Sequence, residues 1–350
     1  MRRPILIALG GVAALLAVTL ALLMVGGFSA PRALEALWTG SIGSWYAFTS
    51  GTLVRAVPLL LTGCAVAVAF RAGVFNIGAE GQFIAGTIAA SALALQLPGW
   101  GVAGLALAVL GGCVAGALWA GIAAELRLRF GVLEVISTIM LNFVALHALS
   151  YLVRGPLQEP THIYPQTSTF ADGVRLAHLP GAGRLHAGLL IAVAVLGTAG
   201  WVLRHTAFGF RLLAIGDSPA AARSAGLIDV SRTTRAAFLW SGAIAGLAGA
   251  IEVLGVTFAL YENISPGYGY TAIAVALLAG LDPWRVVVSA VLFAALEAGA
   301  GAMQRDAGVP ATLVSVIEAL LILGVVGAQA VRWQLRRADA IPVAAPEASA

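Results

Sequence analysis

The sequence predicts an all-α membrane protein of about ten transmembrane helices with both termini cytoplasmic, and three observations carry that expectation. First, 60% of the 350 residues are hydrophobic, 10% are charged, and mean hydropathy is +0.95. A soluble core of this length would need far more charge on its surface. Second, apolar windows of bilayer-spanning length recur along the chain. Third, all 20 basic residues are arginine, and they are unevenly placed between the windows. With the N-terminus inside, Arg71, Arg127, Arg129, Arg204, Arg211, Arg223, Arg232, Arg235 and Arg285 join the arginines near both termini on the cytoplasmic side. Arg32, Arg154, Arg175, Arg184 and Arg305 fall outside, as the positive-inside rule requires of the minority. The net charge of +4 therefore reflects topology more than any nucleic-acid polymer as partner.

The candidate spans lie near residues 5–27, 51–70, 82–97, 99–124, 133–153, 185–203, 235–257, 269–281, 285–302 and 310–329. Arg2-Arg3 and the run after it imitate a signal peptide, but Pro4 to Phe28 is too long for an h-region of about 15 residues, so the first helix is expected to be retained. Residues 31–50 read as an external interfacial segment, with Trp38, Trp45 and Tyr46 suited to the headgroup region. The window at 269–281 is short and flanked by breakers, Pro266-Gly267 and Asp282-Pro283, as half of a broken span would be. One polytopic domain over 1–335 is expected, with an external loop at 154–184, a cytoplasmic segment at 204–234 and a disordered cytoplasmic tail at 336–350. Asn76-Ile77 and Asn263-Ile264 each precede a glycine-aromatic stretch on opposite faces of this topology. An inverted repeat of the second through fifth spans against the seventh through tenth would produce that pairing.

The most informative stretch is Gly73-Val74-Phe75-Asn76-Ile77-Gly78-Ala79-Glu80-Gly81-Gln82-Phe83, a polar, glycine-rich break between two spans. In hydrocarbon a broken backbone survives only where protein or a watery cavity satisfies its N–H and C=O groups, and a passage for a solute is one such place. Asn76, Glu80 and Gln82 belong to this break. Glu134, Thr138 and Asn142 recur every fourth residue on one helical face. Neutral amides and hydroxyls there suit ribose hydroxyls and base edges, although the same groups also glue packed spans together. Phe75, Phe83, Tyr268 and Tyr270 offer flat faces on which a nucleobase could stack. Arg55, Glu252, Glu297 and Glu318 also lie in spans, where buried charges call for pairing. The glycines at 242, 246 and 249 permit close helix approach.

Other chemistries find no support. Cys64 and Cys113 sit singly in apolar windows, and the five histidines are scattered, so neither a disulfide nor a metal site is expected. GxSxG, HExxH and GxxxxGK[ST] are all missing from the sequence, so it offers no nucleophile elbow, no zincin helix and no phosphate-cradling loop with which to bind ATP. In the cytoplasmic segment, Asp217 or Ser218 can cap a short helix with Pro219 at its first position and Gly226 at its end. A short alanine-rich helix has little reason to fold alone, and a groove on a partner would stabilise it.

That run, Gly216-Asp217-Ser218-Pro219-Ala220-Ala221-Ala222-Arg223-Ser224-Ala225-Gly226-Leu227, resembles the coupling segment of ABC-importer permeases in the branched-chain amino acid and simple-sugar permease superfamily. Val74 to Phe83, Glu134 to Asn142 and Gly267 to Gly280 resemble the nucleoside-uptake branch, and the similarity covers about residues 50 to 330. The resemblance implies a permease subunit of an ATP-driven importer in a bacterial plasma membrane, forming the path for nucleosides. It implies two ATPase subunits that use ATP and Mg, a second permease chain, related but different, and an external binding protein or lipoprotein; this chain itself would bind no cofactor and would be a conduit and not an enzyme. Candidate path residues are Phe75, Asn76, Glu80, Gln82, Thr138, Asn142, Tyr268 and Tyr270. Candidate coupling residues are Gly216, Asp217, Pro219, Ala221, Ala222 and Gly226. The rival readings are the same machine carrying a simple sugar such as ribose, a secondary transporter driven by an ion gradient, and a non-transporting scaffold.

Overall fold

The computed structural model describes residues 17–226 and 228–310, with scattered positions from 312 to 327. The expectations for the chain before residue 17, for Leu227, for Glu318 and for the tail at 336–350 lie outside the described residues. So does much of the window at 310–329.

Among the described residues the secondary structure is helical, with no strand beyond two isolated bridges. The helices are α1 (Ala17–Val25), α2 (Ala30–Ser41), α3 (Ala47–Arg71), α4 (Ala79–Gln96), α5 (Gly101–Phe130), α6 (Glu134–Val153), α7 (Gly188–His205), α8 (Ala207–Asp217), α9 (Pro219–Ser224), α10 (Val230–Thr257), α11 (Tyr268–Leu278) and α12 (Pro283–Asp306). Every window from 51–70 to 285–302 is met by a helix. Six of them (α3, α5, α6, α7, α10 and α12) are long and apolar enough to cross a bilayer, or up to seven if the bent pair α1–α2 is one span. α4 falls short because Glu80 and Gln82 stand in its first turn, and α11 because it has only 11 residues. The expected interfacial segment is largely helix α2, and Trp38, Trp45 and Tyr46 are exposed, as headgroup anchors would be.

Two compact units divide the chain. In the smaller, residues up to 37 and from 300 onward, Leu23, Ala30, Ala33, Ala36, Ala300, Met303 and Val309 form an apolar core. The larger, residues 38–299, is built around α10, which packs on α3, α4 and α5. Glycines set that packing. A Cβ on Gly246 would run into the Gly112 carbonyl, one on Gly116 into the Gly242 carbonyl, and one on Gly249 into the Phe83 carbonyl, so these helices touch backbone to backbone. Cys64 is buried and Cys113 half-buried, both free, and the described residues hold no cluster fit for a metal.

Ion pairs tie the helix ends. Arg127 meets Glu134 at 3.0 Å, which gives Glu134 a structural partner, and Arg204 meets Asp282 at 2.5 Å. Arg154 grips both carboxylate oxygens of Glu262 at 3.0 and 2.6 Å. That grip, with the Ser150 hydroxyl, holds Glu262 below the usual carboxylate range. The loop at 154–184 is ordered. Its amides at Thr167, Phe170 and Leu176 donate to the carbonyls of Leu260, Phe258 and Leu254, and Phe170 and Val174 are buried beneath it.

Candidate functional site

Two helices begin at the same place in the larger unit. α4 starts at Ala79 and α11 at Tyr268, and each leaves first-turn N–H groups without an intrahelical partner. The Glu80 carboxylate accepts from Gly269 N at 2.7 Å, and the Asn142 Oδ1 accepts from Gly81 N at 2.8 Å. Ser265 Oγ takes the amides of Gly267 and Tyr268. The approach is so close that a Cβ on Gly269 would strike the Glu80 backbone. Two positive helix ends thus converge on a carboxylate and an amide, the arrangement by which broken spans in transporters present backbone near the bilayer midplane.

The break before α4 is closed by side chains. Asn76 is buried. Its Nδ2 donates to Gln82 Oε1 and to Ser241 Oγ, both at 2.9 Å, while its Oδ1 accepts from Gly78 N at 3.0 Å and Gln82 Nε2 at 2.9 Å. Ser241 passes the chain of bonds to the Ala65 carbonyl, so α3, α4 and α10 share one network. Asn142 Nδ2 reaches the Ile77 carbonyl at 3.0 Å and the Tyr270 hydroxyl at 3.3 Å. Thr138 is buried and returns its hydroxyl to the Glu134 carbonyl at 2.7 Å. Phe75 is exposed and meets Phe70 edge-on at 5.3 Å. Tyr270 keeps an exposed ring, whereas Tyr268 is buried against Phe83, with centroids 5.8 Å apart.

Next to Tyr268 lies a polar cavity of about 360 Å³, lined by Ser50, Arg55, Arg184, Glu252, Tyr261 and Tyr268 among others. That volume falls in the range of small-molecule sites, roughly 300–1,000 Å³. Two of the three helices that supply its walls carry a π turn there, Ala47–Leu53 at the start of α3 and Val253–Thr257 at the end of α10. Such turns insert an extra residue and re-aim its neighbours, and they recur at functional sites. Arg184 is held at the rim by its own backbone, whose N–H donates to Ser50 Oγ at 3.0 Å. Arg55 spans the Gly51 carbonyl at 3.1 Å and Glu297 at 3.8 Å.

At the Arg71 end of α3, α8 and α9 form the segment expected to carry the coupling residues. Thr206 caps α8 through Gly209 N, and Ser218 caps α9 through Ala221 N at 3.2 Å. Asp217 closes α8 rather than capping α9, Pro219 opens α9, and Gly226 follows at φ +70°. Asp217, Pro219 and Ala221 are exposed and Ala222 is buried. Gly216 lies against the turn after α3. A Cβ there would collide with the Arg71 carbonyl, and Gly73, at φ +67°, faces it in return.

Asn76 and Gln82 therefore share one hydrogen-bonded set, Asn142 and Tyr270 share another on the same break before α4, Glu80 bonds the first turn of α11, Thr138 bonds only its own helix, Tyr268 lines the cavity, and Phe75 stands apart. Arg55 and Glu252 of the cavity were marked by their charge within spans. Ser50, Arg184 and Tyr261 carry no such mark, because a serine, arginine or tyrosine in a connecting segment is ordinary.

Over residues 48–326 the sequence matches the family described as branched-chain amino acid transport system / permease component. It is 42% identical over 283 residues to a glucose ABC transporter permease protein of Haloferax volcanii, covering 77% of this chain and 74% of that one. A guanosine ABC transporter permease protein of Bacillus subtilis is 36% identical over 316 residues, 89% of this chain and 90% of its own. A nucleoside ABC transporter permease protein of Lactococcus lactis is 31% identical over 331 residues, 91% and 90%.

Proposed function

Because the chain belongs to the permease-component family of branched-chain amino acid transport systems, we propose that it is the membrane-spanning subunit of an ATP-driven importer and forms the path for nucleosides. The observation that carries the solute is that relatives named for guanosine and for nucleosides align with about nine-tenths of the chain and of themselves. The 42% identity to a permease named for glucose favours a second reading, in which the solute is a simple sugar. Both are neutral and rich in hydroxyls, and the polar cavity with its two tyrosines suits either.

In this reading the chain crosses a bacterial plasma membrane about ten times with both termini inside. Arg55, Glu252 and Arg184 then stand at the outer end, where an external binding protein delivers solute. α8 and α9 stand at the inner end, where the ATPase subunits dock, and a second permease chain completes the path. ATP and Mg belong to those ATPase subunits. The exposed Pro219-Ala220-Ala221 face of α9 supports a docking role, since a six-residue helix has little stability of its own.

The test is ATP-dependent uptake of labelled guanosine against labelled glucose in liposomes holding this chain with its co-purifying partners. Guanosine uptake that Gly226→Asp abolishes supports the reading. Glucose uptake alone replaces the solute, and uptake indifferent to ATP removes the importer.

A further inference from the structure

Glu252 is the least satisfied charged group in the larger unit. It is 7% exposed, lines the cavity beside Tyr268, and receives a hydrogen bond from no described residue. A carboxylate buried without donors is costly, so natural structures surround one with N–H or O–H groups. The nearby cations do not fill that role. Arg55 donates to the Gly51 carbonyl and lies 3.8 Å from Glu297, and neither its guanidinium nor that of Arg184, which lines the same cavity, is hydrogen-bonded to Glu252. The π turn that begins at Val253 follows Glu252 directly, and Glu252 lines the cavity.

We infer that the Glu252 carboxylate is the acceptor for two adjacent hydroxyl groups of a neutral solute held in this cavity. A carboxylate is an acceptor only, with two oxygens side by side, and its complement is a pair of neighbouring O–H donors. Arg55 and Arg184 set against Glu252 and Glu297 make the surroundings electroneutral, which suits an uncharged solute and not a phosphorylated one. Tyr261 and Tyr268 add an aromatic wall with a hydroxyl for a sugar ring or base. Guanosine and glucose, the solutes named for two relatives, differ in size and aromaticity but share adjacent hydroxyls. This inference rests on the transport reading above and adds the group that recognises the solute.

Liposomes carrying the whole assembly, with the same external binding protein in every arm, separate this chain's contribution from that protein's. Uptake of guanosine is compared with 2′,3′-dideoxyguanosine for wild type, Glu252→Gln and Glu252→Asp, and glucose is compared in parallel with 2,4-dideoxyglucose, which keeps no adjacent hydroxyls. Glu252→Gln is expected to raise the KM for guanosine about tenfold and to flatten the preference for the hydroxylated solute. Glu252→Asp, which keeps the carboxylate, is expected to keep the preference. A Gln variant with wild-type KM and preference overturns the inference. So does an Asp variant that melts like wild type yet loses preference as fully as Gln. If wild type carries glucose and not guanosine, the nucleoside reading fails, and the same Glu252 comparison is decided on the glucose pair.

Discussion

Asn76 shows how a polar residue in a membrane segment earns its place. Each of its amide atoms is engaged, and its partners Gln82 and Ser241 are buried with it. Truncation leaves donors and acceptors unpaired where water does not replace them, so Asn76→Ala is expected to cost about 2 kcal/mol in unfolding from mixed micelles. A change below about 0.5 kcal/mol would show that the network is dispensable. The residue types of this cluster were legible in the sequence, since polar groups at membrane depth stand out against apolar neighbours. What they do was not. Glu134, Thr138 and Asn142 share a face by spacing alone, but only the fold shows Glu134 turned to Arg127, Thr138 turned to its own helix, and Asn142 turned to the first turn of α4.

At the scale of elements, glycine placement decides how close α4, α5 and α10 come. Gly246 faces the backbone of Gly112 and Gly116, which have no flexible end to move aside, whereas Gly121 on the same α5 meets only the tip of Leu239 at 3.3 Å. Gly246→Val is therefore expected to destabilise the protein by about 3 kcal/mol and Gly121→Ala by less than about 0.5 kcal/mol. Thermal unfolding in detergent measures both, and equal effects would refute the backbone-contact account. Apolar windows located the helices because span length is a property of consecutive residues. The ends of α9 were legible for the same reason, since Ser218, Pro219 and Gly226 act on their neighbours, whereas α8 and its Thr206 cap were not read from the sequence. The π turns at 47–53 and 253–257 follow from no local signature, and the cavity draws on positions from Ser50 to Tyr268 that only tertiary packing brings together.

For the molecule as a whole, the contact of Gly216 with the turn after α3 joins its two ends. The turn at Arg71–Gly73 feeds directly into Val74–Phe83, so a displacement of α8 reaches the break before α4 through backbone. Gly216→Val pushes these surfaces apart. In the reconstituted importer it is expected to lower solute uptake about tenfold while the ATPase continues to turn over. Uptake and ATP hydrolysis falling together would instead mean that the residue serves assembly.

The loop at 154–184 has a mechanical consequence. Its amides are stitched to the carbonyls of Leu254, Phe258 and Leu260, and its far end carries Arg184. It is thereby clamped to the end of α10 and the residues just after it, and it contributes Arg184 to the cavity wall. Any displacement of residues 166–176 is therefore passed through three backbone bonds to that stretch of chain, the nearest of them two residues beyond Glu252.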